Sequence, residues 1–199
     1  GPEEVPALGA ADRDHASRVH KVTGLVDMES YFSESEIKEY RSEFLREGMF
    51  LYEEKHYIIP VAKSSENLFV NKNQWEAFSS KNGYTDENLN TWEGIIDVAE
   101  KYNQETGSGF LGVDAVANYM LVSCMQLGTE IFTYNDDGTA NFNFDEDVAR
   151  KIWDNYYVPY LKGYFIKTGR FSSDDAKTRK VIAYTGSTAG AAYFPTEVT

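Results

Sequence analysis

The sequence predicts a layered α/β fold. Segments of helical period alternate with short β-rich runs, helices outnumber strands, and no internal repeat is present. With 199 residues, 42% of them hydrophobic and 15% aromatic, the chain can bury a substantial core.

Charge narrows the partners. Lys and Arg number 19 against 32 Asp and Glu, a net of −13. A nucleic-acid partner needs a basic face, so none is expected. An anionic membrane surface is disfavoured for the same reason. Acidity of this kind mainly keeps a protein soluble. The single cysteine, Cys124, lies in the apolar run Met120-Leu121-Val122-Ser123-Cys124-Met125. It rules out an intrachain disulfide and a zinc site built on paired cysteines, and it reads as a buried, inert thiol. No stretch of about 18 apolar residues and no signal peptide occurs. The opening Gly1-Pro2 reads as the scar of a protease cut, which would place targeting information upstream.

The elements follow in order. Residues 1–10 hold two prolines and two glycines and read as a loose opening segment. A short helix fits Asp12 to Val22, with Gly24 as its breaker. A second helix, near 35–47, is capped by Ser33 or Ser35, carries Ile37, Tyr40, Phe44 and Leu45, and stops at Gly48. Strands are expected near 57–61 and 67–71, on either side of Lys63-Ser64-Ser65-Glu66-Asn67. Helices are then expected near 74–81, bearing Trp75 and Phe78, and near 91–104, with Thr91 as N-cap and Glu93 favourable to the dipole. The apolar stretch 113–127 predicts another helix, ending at Gly128. Asp137-Gly138 lies between Ile131–Tyr134 and Ala140–Phe144 and reads as a hairpin turn. The same stretch fails as a calcium loop, because its first and twelfth positions would be Thr133 and Phe144. Asp145 caps a helix near 145–158 through Val148, Ile152, Trp153 and Tyr156. A last strand is expected near 181–184, opening into Thr185-Gly186-Ser187-Thr188-Ala189-Gly190.

Catalytic motifs do not assemble. Glycoside hydrolysis needs a carboxylate pair with one member in an apolar setting, and no such pair stands out. In Gly186-Ser187-Thr188-Ala189-Gly190 the serine comes one place too early for a nucleophile elbow, and His15, His20 and His56 all precede it. A phosphate loop would place lysine after the glycines, where Ala191-Ala192 stands. Neither a metal nor any other cofactor is expected.

Binding fits better. In open α/β sheets ligands sit beyond the carboxyl ends of strands. Small Gly, Ser and Thr residues there let backbone N–H groups and hydroxyls approach a ligand closely. A plain tight strand-to-helix connection uses the same residues, and local sequence leaves both readings open.

The succession Tyr57-Ile58-Ile59-Pro60-Val61, Ser64-Ser65, Leu68-Phe69-Val70-Asn71-Lys72 and Thr91-Trp92-Glu93-Gly94 resembles extracellular solute-binding proteins of ABC transporters, the family 1 group of maltose-type sugar binders. Phe171-Ser172-Ser173-Asp174-Asp175, Ile182-Ala183-Tyr184-Thr185-Gly186-Ser187 and Tyr193-Phe194-Pro195 resemble the family's second-lobe pattern. The resemblance runs from about Gly24 to Val198.

That resemblance implies a periplasmic-binding-protein-like (type II) two-lobed fold closing on its ligand by a hinge, with mainly the second lobe present. Residues 1–62 would form a partial first-lobe segment and crossing strand. Residues 63–199 would form a second-lobe α/β domain, incomplete at its C-terminus. The ligand-binding residues implied are Gly186, Ser187 and Thr188, with Ser64 and Ser65 at the end of the crossing segment. Asn118 and Tyr119, polar interruptions in an apolar helix, would complete the same wall. The expected solute is a sugar or oligosaccharide, delivered to the permease subunits of an ABC importer. The full-length protein would be extracellular or periplasmic and anchored to the membrane as a lipoprotein. Aromatic faces suit pyranose stacking, although Trp75, Trp92 and Trp153 each read as core. A carbohydrate-active enzyme or accessory carbohydrate-binding domain is the competing reading, and a structural interaction domain is a third.

Overall fold

The computed structural model describes residues 8–49, 55–135, 137 and 139–193. The end of the Tyr193-Phe194-Pro195 motif and Gly138 of the expected turn lie outside them. The chain divides into two compact units, one of Gly1–Lys63 with Tyr134–Asn141, the other of Ser64–Thr133 with Phe142–Thr199.

The first unit opens with α1 (Arg13–Thr23), which ends where Gly24 takes a positive φ of 71° and donates its N–H to the His20 carbonyl. α2 (Glu34–Glu39) is started by a reciprocal capping box between Ser33 and Glu36. The helix expected over 35–47 is interrupted. Tyr40 and Arg41 are extended, and α3 (Ser42–Leu45) begins after them and tightens into a 3-10 turn at Arg46–Gly48. Of Ile37, Tyr40, Phe44 and Leu45, only Leu45 is buried, so no tertiary face holds a longer helix together.

The strand expected over 57–61 is absent too; the local ladder is a lone bridge between Met49 and His56. The Tyr57 and Ile58 N–H groups both donate to the Gly48 carbonyl, Pro60 has no N–H, and Val61 is 98% exposed. Gly48 is required there, because a Cβ would sit 1.9 Å from the Ile58 carbonyl oxygen.

The second unit is built on a mixed three-stranded sheet. Its elements in order are β1 (Glu66–Val70), α4 (Lys72–Asn82), α5 (Trp92–Thr106), β2 (Leu111–Val113), α6 (Val116–Gln126), α7 (Glu146–Ile152), α8 (Val158–Leu161), α9 (Ser172–Lys177) and β3 (Ala183–Ser187). A π-helical turn, Trp153–Tyr157, joins α7 to α8. A separate two-stranded ribbon pairs Phe132–Tyr134 with Ala140–Phe142 across the Asp137 turn.

Caps account for the helix starts. Asn71 accepts the Gln74 N–H at 3.1 Å, Thr91 the Gly94 N–H at 3.1 Å and Asp145 the Val148 N–H at 2.9 Å. In the sheet, β3 lies in the centre, antiparallel to β1 and parallel to β2. Trp75, Phe78, Ile95, Val98, Phe110 and Phe165 anchor the core packed against it. Cys124 is buried among them, and that burial pushes its thiol up.

Two expected boundaries shift. The helix expected from 113 begins at Val116, because Leu111–Val113 is a fully buried strand; only Asp114 and Ala115 separate the two apolar segments. The last strand occupies Ala183–Ser187 rather than 181–184. Trp153, expected in the core, is 54% exposed and packs against Tyr157 with ring centroids 3.9 Å apart.

Candidate functional site

β2 and β3 run parallel, so their carboxyl ends meet at one edge of the sheet, beside the amino end of the antiparallel β1. Register places Ser187 opposite Glu66 and Gly186 opposite Asn67. One residue further, the Thr188 N–H donates to the Ser65 carbonyl at 2.9 Å, and the Ser65 N–H reaches Thr188 Oγ1 at 3.4 Å. Ser187 Oγ accepts the Ala189 N–H at 3.2 Å as a 3-10 turn, Thr188–Tyr193, begins. From α6, Asn118 donates to Glu66 Oε1 at 2.6 Å. Ser64, Ser65, Asn118, Ser187 and Thr188 thus share one polar rim, of which Ser64, Ser65 and Asn118 are exposed.

Tyr119 faces elsewhere. It is 6% exposed, its hydroxyl donates to the Ile152 carbonyl at 3.0 Å, and its ring meets Trp92 edge-on at 5.0 Å. Adjacent helical positions point about 100° apart, so Asn118 at the rim sends Tyr119 inward. Burial pushes its phenol up to about 12, and the neighbouring Ser123 hydroxyl tempers that rise without meeting hydrogen-bond geometry.

The segment expected as a loop is half strand. Thr185, Gly186 and Ser187 pair with β1, and the turn starts only at Thr188. The glycine has a packing reason. A Cβ at Gly186 would lie 3.0 Å from Asp114 Oδ2 and 3.2 Å from Tyr184 Cε2, and one at Gly190 would lie 2.7 Å from the Tyr184 hydroxyl. The two glycines therefore make room for a fully buried tyrosine that stacks on Phe69 with centroids 4.9 Å apart.

Asp114 is the rim residue that sequence reading missed. It follows β2 directly, and its N–H donates to the Thr185 carbonyl at 3.0 Å. Oδ1 accepts the Ser172 N–H, while Lys167 Nζ donates to the Asp114 carbonyl at 2.6 Å. Its position after an apolar run was the available signal, faint among 32 acidic residues. Among the described residues no three His, Cys, Asp or Glu side chains group as a metal site. The rim offers hydroxyls, an amide and carboxylate oxygens, a set suited to hydrogen-bonding a polar solute.

Residues 6–196 match the bacterial extracellular solute-binding protein family, and the chain belongs to that family. Two solved structures share the fold. UgpB from Mycobacterium tuberculosis, in complex with glycerophosphocholine, is 16% identical with a TM-score of 0.67, over 84% of this chain and 43% of that one. The Thermus thermophilus maltotriose binding protein, bound with maltotriose, is 12% identical with a TM-score of 0.60, over 85% and 44%. The chain spans less than half the length of either. No curated protein matches it significantly. The fold is the α/β architecture of the two-lobed periplasmic binding proteins.

Proposed function

We propose that this chain is part of the solute-capturing component of an ABC importer and that its solute is a sugar or oligosaccharide. The observation that carries this reading is the convergence of three strand ends on one rim, where Ser64, Ser65, Asp114, Asn118, Ser187 and Thr188 present oxygens and N–H groups. Family membership supports solute binding, and maltotriose in one structural neighbour supports the carbohydrate class. Tyr119 is omitted from the contact set because its hydroxyl is already committed to Ile152. Residues 63–199 act as the second lobe and 1–62 as a first-lobe portion with the crossing segment. The full-length protein works outside the cytoplasm as a membrane-anchored lipoprotein, handing solute to the permease without altering it.

The test is calorimetric titration of the full-length protein with maltotriose and other neutral oligosaccharides, beside an assay of chromogenic glycosides. Saturable binding without turnover is expected. A lost neutral hydrogen bond costs about 0.5–1.5 kcal/mol, so Ser187→Ala should weaken binding roughly three- to tenfold. Turnover of the glycosides, or affinity unchanged in both Ser187→Ala and Asp114→Asn, would overturn the reading.

A further inference from the structure

Glu66 opens β1 and stands opposite Ser187 in the antiparallel ladder. Directly opposed residues share one face of a sheet, with Cβ atoms about 4.5–5.5 Å apart. A solute held by the Ser187 hydroxyl therefore meets the Glu66 carboxylate. The rim continues inward from there as a cleft of about 510 Å³, lined by Glu66, Ala115 and Thr185 and deepened by Trp92.

The carboxylate is held in place but not neutralised. Asn118 donates to Oε1 at 2.6 Å, and no Lys, Arg or His among the described residues pairs with either oxygen. The second oxygen is left to accept from a solute.

The neighbouring cations are engaged elsewhere. Lys151 pairs with Glu93, so those two lining charges cancel. Lys167 Nζ donates to the backbone carbonyls of Asp114 and Val113, at 2.6 and 3.4 Å. It tempers the charge of Asp114 without forming an ion pair with that carboxylate. Glu66 is thus the lining charge left without a counter-ion among the described residues. Its side chain is half-buried, which keeps salt from screening it fully. A positive group on a solute is attracted there, and a negative group is repelled with no cation to offset it. Neutral hydroxyls can still donate to the open oxygen.

We propose that Glu66 is the specificity-determining residue of the rim and that it selects solutes by charge. Saccharides bearing an ammonium group are favoured, neutral ones are accepted, and those bearing a carboxylate or phosphate are rejected. This assignment rests on the importer reading and narrows its solute class.

Three trisaccharides serve as probes: chitosan trisaccharide, which is cationic, maltotriose, which is neutral, and trigalacturonate, which is anionic. Each is titrated calorimetrically into the full-length protein at about pH 6, below the range in which amines lose their proton. Affinity should fall in the order given, by roughly tenfold between the cationic and the neutral probe. Glu66→Gln keeps the acceptor for Asn118 and removes only the charge. It should weaken chitosan trisaccharide roughly tenfold, change maltotriose less than about threefold, and strengthen trigalacturonate. Glu76→Gln removes the same charge from the exposed side of α4, outside the lining, and should leave all three unchanged. A different order in the unaltered protein would overturn the proposal without recourse to any variant, and binding of maltotriose alone would do the same. So would a ratio of cationic to anionic affinity that Glu66→Gln leaves as it was, or that Glu76→Gln shifts equally. In each of these cases maltotriose still binds, and the importer reading stands. Failure of every saccharide to bind the folded protein would overturn that reading and the charge rule with it.

Discussion

Ser65 and Thr188 hold each other twice, through a backbone bond from the Thr188 N–H at 2.9 Å and a longer bond from the Ser65 N–H to the threonine hydroxyl at 3.4 Å. The pair extends the β1–β3 ladder one step past its last strand partners and sets where the rim begins. Thr188→Ala removes the longer bond and should cost at most about 0.5 kcal/mol. Thr188→Pro removes the backbone donor and should cost about 1–3 kcal/mol. Urea unfolding of both variants checks the order; equal costs would mean that the backbone bond contributes nothing.

The phenol of Tyr184 lies 2.7 Å from where a Gly190 Cβ would stand, while the ring carbons are at 3.5 Å and beyond. Gly190→Ala should therefore destabilise by about 1–3 kcal/mol through overpacking. Adding Tyr184→Phe should recover much of that loss, since only the oxygen collides. A double-mutant cycle measures the coupling, and strict additivity would place the strain elsewhere.

Burial pushes the phenols of Tyr119 and Tyr184 up to about 12, against an ordinary 10. Folding keeps both rings neutral, so their contribution is complete below pH 10. It is lost as pH rises from 10 through about 12, where the unfolded chain gains by ionising. Tyrosinate absorbance should thus lag behind that of exposed tyrosines, and the melting temperature should fall across this window. Simultaneous titration of every tyrosine near 10 would contradict it.

Asp175 is 2% exposed and ties down the approach to α9, accepting hydrogen bonds from the Thr168 N–H and hydroxyl, with Lys180 at 4.0 Å. Removing it leaves the Thr168 donors unmet inside the protein. Asp175→Ala should cost about 2–4 kcal/mol, read as a shift in the denaturation midpoint, whereas Asp174→Ala on the same helix should cost little.

Cys124 is fully enclosed, and burial together with the charge of Asp145 keeps its thiol protonated. A thiol-directed reagent should label it only as fast as the core opens. Fast labelling of native protein would mean that α6 is not packed as described.

The parts of the fold legible in the sequence are those with a local cause. Ser33, Thr91 and Asp145 act as caps because each places an oxygen over the donors of its own first turn. What depended on distant partners was not legible. Phe110–Val113 and Val116–Gln126 are equally apolar, and only pairing with β3 makes the first a strand. Thr185-Gly186-Ser187 looks like a loop until β1 is laid beside it. The rim was found through its small polar residues, yet Asp114 was missed because one carboxylate carries no pattern. Asn118 and Tyr119 were adjacent in sequence but sit on different faces of one helix.

The central position of β3 also governs when the sheet can exist. β1 and β2 do not pair with each other; within the three-stranded sheet each pairs with β3, which follows both of them in the chain. A growing chain that has not yet reached Ser187 holds β1 and β2 without the central strand that joins them, although β2 can already bridge to Phe165. Its helices can form early from their own caps, but the strands close the core late. Nascent chains halted before Ala183 should remain open to protease, and those extended past Tyr193 should become resistant in a single step.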